Sequence, residues 1–232
     1  MKSFIQYWKV HLLLWTASIA LFLTASYAGY FKGPDTIQYI AGLFHQNRVH
    51  DMLEARNYHA AAKEYIAWSW LKPDDQDLIK ELAETHLLDR QPHRAYYIIT
   101  PLAGAMTPDA FDLCRLMALI QADRKEPSAL EWARRAQNSA GPDQQAQGAL
   151  ITAHVHRKAA QTPEAIKAYA HVLDLERDHP EAVYYSEIYR EQATESEAFS
   201  RIPEGSRKNF AEFACTPEFI LKYHQLDSKY AK

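Results

Sequence analysis

His154-Val155-His156 is the tightest histidine pair in a chain with eleven histidines, so metal chemistry is sought there first. On a helix, residues two apart point to different faces, and such a pair cannot close on one ion. No H-E-x-x-H occurs either. General acid–base work would need paired carboxylates. Glu81 with Glu84 and Asp74 with Asp75 are the nearest approach, and their setting reads as solvated surface. Nucleophilic and phosphate-binding motifs are absent: there is no G-x-S-x-G, no P-loop and no G-x-G-x-x-G. Seven scattered glycines offer no phosphate cradle. Cys114 and Cys215 are too few for a zinc cluster, and no C-x-x-C-H motif is present to attach haem. The expectation is therefore a protein without catalysis, metal or cofactor.

Composition points to the elements that carry these residues. Seven glycines stand against 35 alanines, a balance that disfavours turn-rich sandwiches and barrels and favours helices. Apolar residues make up 47% and charged residues 24%, as in globular proteins. Charge is unevenly placed. Residues 1–32 hold Lys2, Lys9 and Lys32 and no acid, so the remainder carries 26 − 3 = 23 basic and 29 acidic side chains, a net of −6. A nucleic-acid binder would show a basic surplus in that part, so none is expected as a partner.

From Val10 to Phe31 run 22 residues without Asp, Glu, Lys or Arg. As a helix they span ~33 Å, enough for a bilayer core of about 30 Å. Trp8 and Trp15 near one end, with Tyr27, Tyr30 and Phe31 at the other, suit interfacial belts. The lysines before the span place the N-terminus inside. For a bacterium the expectation is a single-pass inner-membrane protein with a periplasmic C-terminal domain. The alternative is a cleaved signal peptide and a soluble periplasmic protein, since Ser26-Tyr27-Ala28 resembles a small-x-small cleavage site. Neither cysteine lies near the segment, which excludes a lipoprotein anchor.

The remainder repeats. Ala61, Ala95, Ala129 and Ala165 are spaced by 34, 34 and 36, and four residues on stand Tyr65, Ile99, Ala133 and Tyr169. Pro73, Pro108, Pro142 and Pro180 follow in the same rhythm. Glu164-Ala165-Ile166-Lys167-Ala168-Tyr169-Ala170-His171-Val172-Leu173-Asp174-Leu175 and Asn57-Tyr58-His59-Ala60-Ala61-Ala62-Lys63-Glu64-Tyr65 resemble the second helix of a tetratricopeptide repeat. This resemblance implies an all-α fold: an N-terminal transmembrane helix, then an α-solenoid of about four helix pairs and a C-terminal capping helix. Units are expected at about 42–75, 76–109, 110–143 and 144–179, with an alanine at each close helix crossing. In the first unit Arg48 stands where the family has an apolar residue. His179-Pro180-Glu181 opens a capping helix to about Gln192, Thr194 to Lys208 reads as a loop, and Thr216-Pro217-Glu218 opens a last helix. The domains are a cytoplasmic tail at 1–9, the transmembrane helix at 10–31, a linker at 32–41, the repeats at 42–193 and a C-terminal loop and helix at 194–232.

The resemblance also implies a function: protein binding through the concave face, lined by the first helices. Its frame places Gln46, His50, Lys80, Glu84, Cys114, Gln121, His154 and Arg157 there. Glu84 stands where the clamp of chaperone-tail-binding repeats needs asparagine, which argues against carboxylate recognition. A disulfide between Cys114 and Cys215 would lay the C-terminal segment across the groove, given an oxidising compartment. Two roles are expected for the protein. One is an envelope scaffold or assembly factor. The other is a structural accessory subunit of a larger membrane complex, packing through the small residues Ala17, Ser18, Ala25 and Ser26.

Overall fold

The computed structural model describes residues 33–105, 110–191 and 194–203. All regular structure among them is helical: α1 (Gly33–Glu54), α2 (Tyr58–Leu71), α3 (Gln76–Leu88), α4 (Pro92–Ala105), α5 (Phe111–Asp123), α6 (Ala129–Ser139), a 3-10 turn at Pro142–Gln144, α7 (Gln145–Lys158), α8 (Thr162–Leu175), α9 (Pro180–Glu191) and α10 (Glu195–Ser200). The chain divides into two compact units, Met1–Asp51 and Met52–Lys232.

The first unit contributes most of α1. The segment 32–41, expected as a linker, is helical from Gly33 onward. Arg48 is exposed on α1 and stacks its guanidinium 5.5 Å from the Phe44 ring centroid. The predicted transmembrane segment, 10–31, lies outside the described residues. Among those described, no helix is long and apolar enough to cross a membrane.

In the second unit the helices pair as the repeat requires: α3 with α4, α5 with α6, α7 with α8. Local sequence sets their starts. Asn57 accepts the Ala60 N–H at 3.2 Å to cap α2, and Asp75 accepts that of Leu78 at 3.2 Å to cap α3. The turn between first and second helix is the same each time. Arg56, Arg90, Lys125 and Ala160 hold φ of 56, 58, 59 and 57°. The N–H one residue further on reaches back five residues: Asn57 to Met52, Gln91 to His86, Glu126 to Gln121, Gln161 to His156. This is a Schellman closure, whose left-handed position usually holds glycine, yet no glycine occupies any of the four.

Packing follows the alanine register. Ala61, Ala95 and Ala165 are wholly buried and Ala129 is 3% exposed, and in the three pairs from α3 to α8 the alanine stands at the expected crossing. Tyr65, Ile99 and Tyr169 are buried one turn on. Ala133 holds that place in α6 but is too small to fill it. Half-buried Trp132 supplies the bulk, packing against the cores on both sides. First helices also stack on one another, α3 on α5 and α5 on α7, which makes the core continuous. Gly148 lets α7 come close to α6, since a Cβ there would stand 3.1 Å from the Gln137 Cα.

Helix α9 closes the last pair by packing on α8. Tyr185 stacks on Tyr169 with ring centroids 5.3 Å apart. The stretch expected as a loop from Thr194 is helical over Glu195–Ser200. Thr194 and Glu197 cap it reciprocally: the Thr194 N–H donates to the Glu197 carboxylate at 2.9 Å, and the Glu197 N–H to the Thr194 hydroxyl at 3.3 Å. Ala198 and Ile202 then bury against the α7–α9 core.

Candidate functional site: a charged cleft between first helices

The stacking of α3 on α5 brings two polar helix faces together. Spacing of three and four residues puts Asp77, Lys80, Glu81 and Glu84 on one side of α3. Asp112 and Arg115 face them from α5, and Leu116 adds an apolar patch; together these residues line an open cavity of about 320 Å³. Arg115 holds Glu84 with two hydrogen bonds, 3.1 and 3.4 Å. Lys80 pairs with Asp77 at 2.6 Å. Four carboxylates thus meet two cations, and the cleft is acidic by two formal charges.

Glu81 is the electrostatic centre. The residue as a whole is exposed, yet its carboxyl lies against buried Tyr65, whose hydroxyl donates to it. Burial raises its pKa, the Tyr65 bond works against that, and Asp75, Asp77 and Glu84 raise it further. Burial, and then Glu81, push the Tyr65 hydroxyl far above its usual range. Such a cleft can bind charge and hydrogen-bond donors. Among the described residues, no three metal-ligating side chains converge.

Of the residues expected on the binding face, Lys80 and Glu84 are brought together here. Gln46 and His50 are exposed on α1, within the other compact unit. Three expectations need correction. Gln121 is 7% exposed and His154 1%, so neither offers an open polar surface. Cys114 is wholly buried among Ala133, Ile151 and Val155. The reason is the stacking of successive first helices, which removes solvent from the seam between them. The predicted disulfide partner, Cys215, lies outside the described residues. Arg157 is half-buried: it donates to the His154 Nδ1 at 2.9 Å, and its guanidinium lies 4.4 Å from the Tyr185 ring centroid.

Sequence reasoning did not place Asp77, Asp112 or Arg115 on the binding face, and it set Glu81 aside as solvated surface. A signal was present. Glu84 and Arg115 are 31 residues apart, one repeat less one helical turn, which brings opposite charges on adjacent first helices face to face.

No protein-family model matches the chain, and no curated protein does. Solved structures do match. The pilF protein of Pseudomonas aeruginosa is similar with a TM-score of 0.54 at 14% identity, over 86% of this chain and 95% of that one. MamA from Desulfovibrio magneticus RS-1, residue 41 to its end, gives 0.52 at 13%, over 83% and 98%. A MamA RS-1 double mutant gives 0.51 at 15%, over 73% and 96%. At such identities the likeness concerns the fold alone, and that fold is a tetratricopeptide-like α-solenoid.

Proposed function

We propose that this protein is a membrane-anchored interaction scaffold or assembly factor of the bacterial cell envelope. Its repeat domain faces the periplasm and is tethered by residues 10–31. The α3–α5 cleft carries the reading: an open, acidic groove on consecutive first helices, able to receive a basic segment of a partner protein. Tethering raises the local concentration of the captured partner without adding contacts. The uncharged run from Val10 to Phe31 supports the anchor.

Purification of the tagged chain from its host in mild detergent, followed by mass spectrometry, tests the scaffold. Asp77→Lys with Asp112→Lys reverses charge at two exposed positions of the cleft rim. Loss of a co-purifying protein at unchanged helical content is the expected outcome. Retention of the same set by the variant refutes the cleft as the binding site. Alkaline carbonate extraction tests the anchor separately: release of the chain from membranes refutes it.

A further inference from the structure

Second helices α2 and α4 both pack on α3, and their outward faces differ from those of α6 and α8. On α2 the exposed residues His59, Lys63, Ile66, Ala67 and Trp70 form one stripe at helical spacing. Trp70 is 82% exposed and Ile66 39%. On α4, Tyr97 is 76% exposed beside Arg94 and Pro101. Neither helix exposes an acid: α4 has none, and the one in α2, Glu64, is buried. Acids occur in the turns on either side of α3: Asp74 is exposed, Lys72 holds Asp75 at 3.9 Å and His59 holds Asp89 at 3.2 Å. By contrast α6 presents Glu131, and α8 presents Glu164 and Asp174.

We infer that the outward face of α2 and α4 lies on an anionic bilayer surface, with Trp70 and Tyr97 at headgroup depth. Exposed tryptophan and tyrosine offer an apolar body and a polar tip, the combination an interface accepts. Lysine and arginine beside them, with no exposed acid on either helix, match a negatively charged leaflet. This inference rests on the anchored reading above. The uncharged segment ends at Phe31, 27 residues before Tyr58, a connection short enough for the first repeat to reach the membrane.

The test uses the full chain in nanodiscs of phosphatidylcholine mixed with phosphatidylglycerol. A nitroxide is placed at Ala67→Cys, between Ile66 and Trp70. Cys215→Ser removes the other labelling site, and Cys114 is buried. A second chain carries the label at exposed Gln137 on α6, as Gln137→Cys. Circular dichroism confirms that labelled chains keep their helix content. The measurement is accessibility to oxygen against a water-soluble nickel chelate. A ratio several-fold higher at position 67 than at 137, lost in Trp70→Ser with Tyr97→Ser, is the expected result. Equal ratios at the two positions overturn the inference. So does protection of position 67 from both reagents, which signals a protein covering that face. Co-elution of the chain with the discs reads the anchor independently, so a chain that co-elutes but shows equal ratios refutes the face alone. A chain that does not co-elute refutes the anchor, and the inference with it.

Discussion

Ala159 and Ala160 are adjacent, both exposed, both methyl-bearing, and should respond to glycine with opposite signs. Ala160 holds φ 57° in the turn between α7 and α8, whereas Ala159, the residue capping α7, has φ −79°. A Cβ in the left-handed region costs about 1–2 kcal/mol. Glycine loses roughly 0.4–1 kcal/mol of that gain through the greater freedom of its unfolded chain. Ala160→Gly should therefore stabilise by about 0.5–1 kcal/mol, a rise of roughly 1–4 °C in melting temperature for a chain of this size. Ala159→Gly relieves no strain and keeps the entropic penalty, so it should cost up to about 1 kcal/mol. Neither variant removes a buried contact, so the difference isolates backbone conformation. Thermal and urea unfolding followed by circular dichroism at 222 nm would read both. Shifts of the same sign, or a destabilised Ala160→Gly, would refute the left-handed turn. The reasoning carries over to Lys125→Gly, at φ 59°.

Three further outcomes follow from the charges. Arg115 and Glu84 are 13% and 42% exposed in their side chains, so screening limits the pair; a double-mutant cycle with Arg115→Gln and Glu84→Gln should give a coupling of about 0.5–1 kcal/mol that shrinks in high salt. His86 is buried, and burial, followed by Arg94, lowers its pKa below 6.5. Its contribution to stability is then present above that value and lost as pH falls through the lowered one; urea midpoints measured across this window should drop more steeply for the parent than for His86→Gln. Glu81 has the opposite sign. Its pKa is raised, so its contribution is present below the ordinary carboxyl value and lost as pH rises through the raised one. Glu81→Gln should match the parent in acid and exceed it at neutral pH, as midpoints at both would show.

Helix pairing was legible before any fold was in view. Ala61, Ala95, Ala129 and Ala165 had to be small for helices to cross closely, and every one is buried. Starts of helices could have been read in the same way, because Asn57 and Asp75 bond to N–H groups only three residues away. Thr194 and Glu197 had the same local logic, a T-x-x-E pair that could have been read as a capping box in place of a loop. Polar exposure was a different matter. Lys80 and His154 both occupy polar positions of first helices, yet one lines an open cleft and the other is sealed. Nothing within either helix distinguishes them, because solvent access depends on what the next helix covers. The same holds for Glu84 and Arg115, whose pairing exists only once α3 lies on α5. Short-range hydrogen bonds and side-chain size act within one repeat and can be read along the chain; burial and charge pairing act between repeats and arise from their stacking.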